Sequence, residues 1–179
     1  SRRGMKSRFR AAGVPQSDWT FLATPDQDLS GIPLPAIVKP DVSGGSYGIE
    51  KSSVVEDGAQ LRAQVARLFS GDLHGRDFRR DGVVAEEFID GPEFSVLVVG
   101  DWNRPDGIRV YPPVERFFAD AWPKILTYEI NWERYGEDCP PENATAGFWH
   151  GKVESADEKE LTDLARAAFV AAGGVEGAQ

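Results

Sequence analysis

The sequence predicts an α+β fold, and three observations support this prediction. Two segments are opened by N-capping patterns and then repeat apolar residues with the period of an amphipathic helix. Short apolar runs between them have the length and composition of strands. These runs follow one another with turn residues between them instead of alternating regularly with helices. That order favours α+β over a doubly wound parallel sheet.

The first half of the chain contains two predicted helices. The first covers residues 3–12 and ends at Gly13, with a proline just beyond. The second begins at a capping box formed by Asp57 and Gln60, and its apolar residues share one face. These apolar residues are Leu61, Val65, Leu68 and Phe69. Apolar runs also predict strands in this half, at residues 18–22, 36–38 and 49–55.

The second half begins with more predicted strands, at residues 82–88, 94–99 and 107–111. Residues 94–99 are apolar on nearly both faces, so we expect a central, covered strand there. The polar and basic residues 71–81 predict an exposed loop, and residues 112–150 predict a long irregular segment. A last helix is expected to begin at a second capping box, formed by Ser155 and Glu158.

Composition excludes several classes of function. The 179 residues carry a net charge of −9, which opposes binding to nucleic acids or anionic membranes because both require a basic surface. No apolar run is long enough to cross a bilayer. Cys139 is the only cysteine, which predicts a cytoplasmic protein without disulfides. His74 and His150 are far apart in the sequence, so we expect no histidine–cysteine metal site.

The first candidate binding element is Lys39 with the loop behind it. A lysine at the end of a buried strand can reach a phosphate oxygen, while glycines let backbone N–H groups approach and serines add hydroxyl donors. The small residues of this loop are Ser43, Gly44, Gly45 and Ser46. The loop has neither a Walker A nor a GxGxxG pattern. Taken alone, it fits a solvated hairpin better than a phosphate site.

The second candidate element is a strand and turn rich in carboxylates. A carboxylate at a strand end can accept a hydrogen bond from an adenine amino group, and one after the turn can accept from ribose hydroxyls. The residues in question are Glu86, Glu87, Phe88, Ile89 and Glu93. Alone, this element also fits an ordinary hairpin with solvated glutamates.

Together the two elements, with the opening segment from Met5-Lys6 to Ala12-Gly13-Val14-Pro15, resemble the ATP-grasp family, and most of all its D-alanine–D-alanine ligases. The resemblance covers nearly the whole chain. It implies two α+β lobes that grip a nucleotide, with residues 1–82 forming the small lobe and residues 83–179 an incomplete large lobe.

The resemblance also implies roles for individual residues. Lys6 and Lys39 would contact the ATP phosphates, and residues 43–46 would close over them. Glu86 would bind the adenine amino group, with backbone contacts from Phe88 or Ile89. Glu93 would bind the ribose. The full predicted nucleotide-binding set is Lys6, Lys39, Ser43, Gly44, Gly45, Ser46, Glu86, Glu87, Phe88, Ile89 and Glu93.

The implied activity is ATP-dependent ligation of a carboxylate to an amine through an acyl phosphate, with amino-acid-like substrates and a place in peptidoglycan synthesis. The Mg²⁺ ligands are expected in a missing segment after Gly174, and an N-terminal substrate domain is also expected to be missing. This chain alone should therefore be inactive, and a homodimer is a further expectation. One alternative is a non-catalytic nucleotide-binding or assembly module that has lost the metal site, and a weaker one is another ATP-grasp chemistry such as carboxylation.

Three positions depart from the family pattern. Asn131 stands where a lysine would contact the phosphates, and Trp132 stands where a tyrosine would bond to the glycine-rich loop. Gly45 replaces the first serine of the usual serine pair. Because asparagine is neutral and an indole cannot accept a hydrogen bond as a phenol oxygen can, these departures point to a related ligase with another acyl substrate.

Overall fold

The computed structural model describes residues 1–118, 124–133, 148–154 and 156–178. Within these ranges there are three α-helices and twelve short strands, with 3₁₀ turns at Lys51–Ser53 and Pro105–Gly107 and a π-helical turn at Glu129–Glu133. The helices are α1 (Arg2–Ala11), α2 (Gly58–Phe69) and α3 (Glu158–Ala172). The strands are β1 (Trp19–Leu22), β2 (Ala36–Pro40), β3 (Val54–Val55), β4 (Asp72–Leu73), β5 (Arg76–Asp77), β6 (Val83–Glu87), β7 (Glu93–Ser95), β8 (Val98–Asp101), β9 (Arg109–Val110), β10 (Val114–Phe118), β11 (Phe148–Gly151) and β12 (Val175–Ala178). The predicted α+β class is confirmed.

The chain divides into two compact units that are interleaved in sequence. The first comprises Ser1–Gly4, Ser17–Asp90 and Ile125–Gly147, and the second comprises Met5–Gln16, Gly91–Lys124 and Phe148–Gln179. This division differs from the lobe boundary expected between residues 82 and 83, because β6 pairs with strands of the first unit. The assignment of the units to ATP-grasp lobes stays a prediction.

The first unit is built on an antiparallel sheet with strand order β1-β6-β2-β3. Helix α2 covers it, and its capping residue was predicted correctly. The Asp57 carboxylate accepts hydrogen bonds from the backbone N–H groups of Ala59 and Gln60, which would otherwise lack partners at the helix start. The predicted apolar face is also confirmed, because Leu61, Val65 and Leu68 are buried in the core of the unit.

The second unit contains two three-stranded sheets, with orders β11-β10-β7 and β12-β8-β9. Helix α3 packs Phe169 against Val98 and Ile108. Asp157 caps its start, and Gly173 ends it in the left-handed conformation, with φ 72°. Ser155, which was predicted to open this helix, lies outside the described residues.

Four local predictions were wrong. The expected strand at 49–55 is a 3₁₀ turn with only β3 after it, and the expected loop at 71–81 contains the β4–β5 hairpin with a buried Phe78. The expected central strand at 94–99 is split: its first part, β7, lies at a sheet edge, whereas Val98 and Val99 belong to β8, the central strand of another sheet. The segment 112–150 includes β10 and β11 and is not simply irregular. Its cysteine, Cys139, is outside the described residues.

In the ranges that the structure describes, no helix has both the length and the apolar character needed to cross a membrane.

Candidate functional site

The centre of the candidate site is an ion pair on the two inner strands of the first sheet. Ile37 is opposite Glu86 and Lys39 is opposite Val84, so Lys39 and Glu86 are diagonal neighbours on one face. Lys39 Nζ contacts Glu86 Oε1, and the two side chains are 19% and 8% exposed. An ammonium has three N–H donors and a carboxylate about four acceptor positions. Each group can therefore keep its partner and still bind a ligand.

A second cation, Arg2, reaches the same region from the start of α1. Its Nη1 donates to the Pro40 carbonyl and, at 3.0 Å, to Ser43 Oγ. The start of the helix is fixed by Asp41, whose Oδ1 accepts from the Arg3 backbone N–H at 2.6 Å. Burial lowers the pKa of the Arg2 guanidinium, while the carboxylates of Glu86 and Asp41 oppose this shift. The two cations, Lys39 and Arg2, thus lie near two buried carboxylates, those of Glu86 and Asp41.

The glycine-rich loop meets the segment that departs most from the family pattern. Trp132 Nε1 donates to the Gly45 carbonyl at 2.5 Å. Gly45 has φ 58°, and a Cβ atom there would lie 3.0 Å from the indole Cζ2. Ser46, the next residue, also has a positive φ of 60°. The two unusual residues therefore contact each other directly, and position 132 bonds to the glycine-rich loop as the family resemblance implies.

The end of β6 carries the residues that were predicted to contact the adenine. Glu87 is exposed, and its backbone N–H donates to the Asp18 carbonyl at 2.9 Å. The Phe88 N–H donates to the Pro35 carbonyl at 2.9 Å. A backbone N–H contact with an adenine would therefore have to come from Ile89, whose side chain is exposed. The role of these residues stays a prediction.

Lys6 and Glu93 belong to the second unit. The Lys6 carbonyl accepts a hydrogen bond from Gln16 Nε2 at 2.9 Å. Glu93 forms an ion pair with Arg116, whose Nε donates to His150 Nε2 at 3.2 Å. Burial, and secondly the Arg116 charge, lower the pKa of His150. The contacts predicted between Lys6 and the phosphates, and between Glu93 and the ribose, also stay predictions.

Arg2 is a candidate functional residue that sequence reasoning missed. It is separated from Pro40 and Ser43 by about forty positions, and no local pattern distinguishes it from the other basic residues of α1. Lys6 was chosen from the same helix on the family resemblance alone. Only the packing of the chain separates the two, since Arg2 lies in the first unit and Lys6 in the second.

Comparison with known proteins agrees with the fold. The chain is 31% identical over 172 residues to a D-alanine–D-alanine ligase of Chromohalobacter salexigens, and 28% identical over 142 residues to one of Desulfotalea psychrophila. A D-alanine–D-alanine ligase structure from Bacillus anthracis, complexed with ATP, matches 98% of the chain with a TM-score of 0.62 at 19% identity. The chain is similar to D-alanine–D-alanine ligases and has their ATP-grasp fold.

This ATP-grasp chain matches only part of each relative. It aligns over 94% and 75% of its own residues, which correspond to 46% and 39% of the two ligase sequences, so it spans less than half of their length. The VanG D-Ala:D-Ser ligase structure from Enterococcus faecalis gives a similar result, with a TM-score of 0.62, 17% identity and 44% of that chain covered. No family model matches the chain.

Proposed function

We propose that this chain is the ATP-binding part of an ATP-dependent carboxylate–amine ligase. The observation that carries the proposal is the Lys39–Glu86 pair beside the glycine-rich loop. Arg2 adds a second cation next to Ser43. A triphosphate needs several donors and positive charges in one place, and this face of the first unit provides them. The ligase names of the sequence relatives favour this function over a non-catalytic module.

The proposed reaction has two steps. A carboxylate oxygen attacks the γ-phosphorus of ATP, and ADP leaves with the electrons of the broken P–O bond. An amine nitrogen then attacks the carbonyl carbon of the acyl phosphate, loses a proton and displaces inorganic phosphate. The residues of this chain would contribute by orienting ATP and neutralising its charge. Amino-acid-like substrates, a role in peptidoglycan synthesis and a cytoplasmic location belong to the same proposal.

Magnesium is expected with ATP, but it enters none of the steps above. Among the residues that the structure describes, no group of three or more His, Cys, Asp or Glu side chains is placed to hold a metal ion. Mg²⁺ prefers several hard oxygen ligands, often shared between carboxylates and phosphates. Its use stays a prediction.

The first test is calorimetric titration of the chain with Mg-ATP. We expect the Lys39→Ala, Glu86→Ala double variant to lose at least tenfold in affinity for Mg-ATP. It removes the cation proposed to bind the phosphates and the carboxylate proposed to accept a hydrogen bond from the adenine amino group. A tenfold loss corresponds to about 1.4 kcal/mol, which is less than a single charge-assisted hydrogen bond often contributes.

The matched control is Lys159→Ala, Asp163→Ala. It removes another lysine–carboxylate pair, one that is exposed on α3. This variant should bind Mg-ATP as the parent chain does. The proposal fails if the folded parent chain does not bind, or if both double variants bind equally well.

A second prediction separates Arg2 from Lys6. Replacing Arg2 with glutamine should weaken Mg-ATP binding by about tenfold, because it removes a charged donor beside Ser43. The Lys6→Gln variant should change the affinity much less. Titration of both variants with Mg-ATP shows which substitution weakens binding more, and thermal unfolding establishes that each variant is folded. A larger loss for Lys6→Gln would instead support the role assigned to Lys6 from the sequence.

A further inference from the structure

The β4–β5 hairpin is fixed beside the glycine-rich loop. Its turn residues, His74 and Gly75, have φ values of 56° and 74°, as a tight two-residue hairpin turn requires. The His74 ring stacks on Tyr128 with centroids 3.9 Å apart, and its Nδ1 accepts from the Gly48 N–H at 3.2 Å. Just after β5, Phe78 is buried in the core. The hairpin is therefore held at its tip and at its base.

This anchoring places Arg76 over the loop. The guanidinium carbon lies 4.0 Å from the centroid of the Tyr47 ring, and Tyr47 directly follows Ser46. The Tyr47 ring also packs against Tyr128 and Trp132, at centroid distances of 5.0 and 5.8 Å. The Tyr47 ring thus contacts two neutral rings and one cation.

Arg76 is also electrostatically available. Although exposed, it forms no ion pair with any residue that the structure describes, whereas Arg79 nearby is paired with Asp77. A guanidinium that stacks with its face on an aromatic ring keeps the N–H groups at its edge for other partners. Trp132, which also contacts the loop, is neutral, and so is its neighbour Asn131.

We propose that Arg76 is a phosphate-binding residue for a nucleoside triphosphate, held in place by Tyr47. This inference rests on the proposed nucleotide site and adds a cation to it. The planar guanidinium can donate two parallel hydrogen bonds to one phosphate group. Tyr47 and His74 act as positioning residues, since they orient Arg76 and hold the hairpin and have no proposed contact with the ligand.

The test compares four variants by titration with Mg-ATP and by thermal unfolding. Arg76→Gln should lose about tenfold in affinity with an unchanged melting temperature, since it removes an exposed charge whose contribution is to binding. Arg76→Lys should lose less affinity than Arg76→Gln, because it keeps the positive charge but not the planar pair of donors. Arg80→Gln, the same change at another exposed arginine four residues away, should bind as the parent does. Adding Asn131→Lys to Arg76→Gln should restore part of the loss.

Several outcomes would overturn the assignment. If Arg76→Gln binds Mg-ATP like the parent chain, or if Arg76→Lys is as weak as Arg76→Gln, the charge of Arg76 has no role in binding. A lowered melting temperature with both substitutions would indicate a structural role in the stack on Tyr47. If the folded parent does not bind Mg-ATP, the proposed nucleotide site itself fails and this inference fails with it.

Discussion

Replacing Phe78 with alanine is expected to destabilise the first unit by about 3–5 kcal/mol. Phe78 is 2% exposed and belongs to the main core cluster, which also includes Val38 and Val83. Truncating a buried phenylalanine removes its apolar surface from the core and leaves a cavity that the surroundings fill only in part. Urea denaturation followed by circular dichroism would measure the change in the free energy of unfolding.

The control for Phe78→Ala is Arg79→Ala, at the next position. Arg79 is exposed and, among the residues that the structure describes, pairs only with Asp77, so we expect little change in the free energy of unfolding. If Phe78→Ala also changes the free energy of unfolding by no more than this, the segment is the exposed loop that the sequence predicted. The buried hairpin base described above would then be wrong.

The second large effect is expected for Gly48→Ala. Gly48 has φ 78°, and a Cβ atom there would lie 2.5 Å from Pro40 Cγ and 3.0 Å from Phe78 Cε2. The left-handed conformation costs an alanine roughly 1–2 kcal/mol. Overpacking adds about 1–3 kcal/mol because Pro40 and Phe78 are buried. The expected destabilisation is therefore about 2–5 kcal/mol, measured by the same denaturation experiment.

Gly75→Ala is the matched variant for Gly48→Ala. Gly75 has nearly the same φ, 74°, but no atom lies within 4 Å of the position of its Cβ. It should show the conformational cost alone. Equal destabilisation by the two substitutions would contradict the close packing around Gly48.

The sequence predicted those parts of the fold that depend on local chemistry. Asp57 begins α2 because its carboxylate bonds to the first free N–H groups of the helix, and this pattern is visible in four consecutive residues. The β4–β5 hairpin was missed because it has no apolar alternation, and its turn uses His74 where asparagine or aspartate is the usual signal. It is attached to the core by Leu73 and by Phe78, just after β5.

The candidate site was only partly predictable, because its contacts join segments that are distant in the sequence. Lys39 and Glu86 were each selected, but their contact depends on the register between β2 and β6, and these strands are separated by more than forty residues. Arg2 and Arg76 depend on contacts with Ser43 and Tyr47 that no local pattern encodes. Basic residues on a polar segment are usually solvated, so sequence reasoning had no ground for choosing these two.

The contact between Trp132 and Gly45 has a consequence for how this chain can vary during evolution. The indole bonds to a backbone carbonyl, so the bond needs no side chain at position 45, but the ring occupies the space that a side chain would need. A serine at position 45 alone would meet the indole, and a tyrosine at position 132 alone would find no hydroxyl at position 45. The two positions are therefore epistatic. Homologues should carry either glycine at position 45 with tryptophan at position 132, or serine at position 45 with tyrosine at position 132.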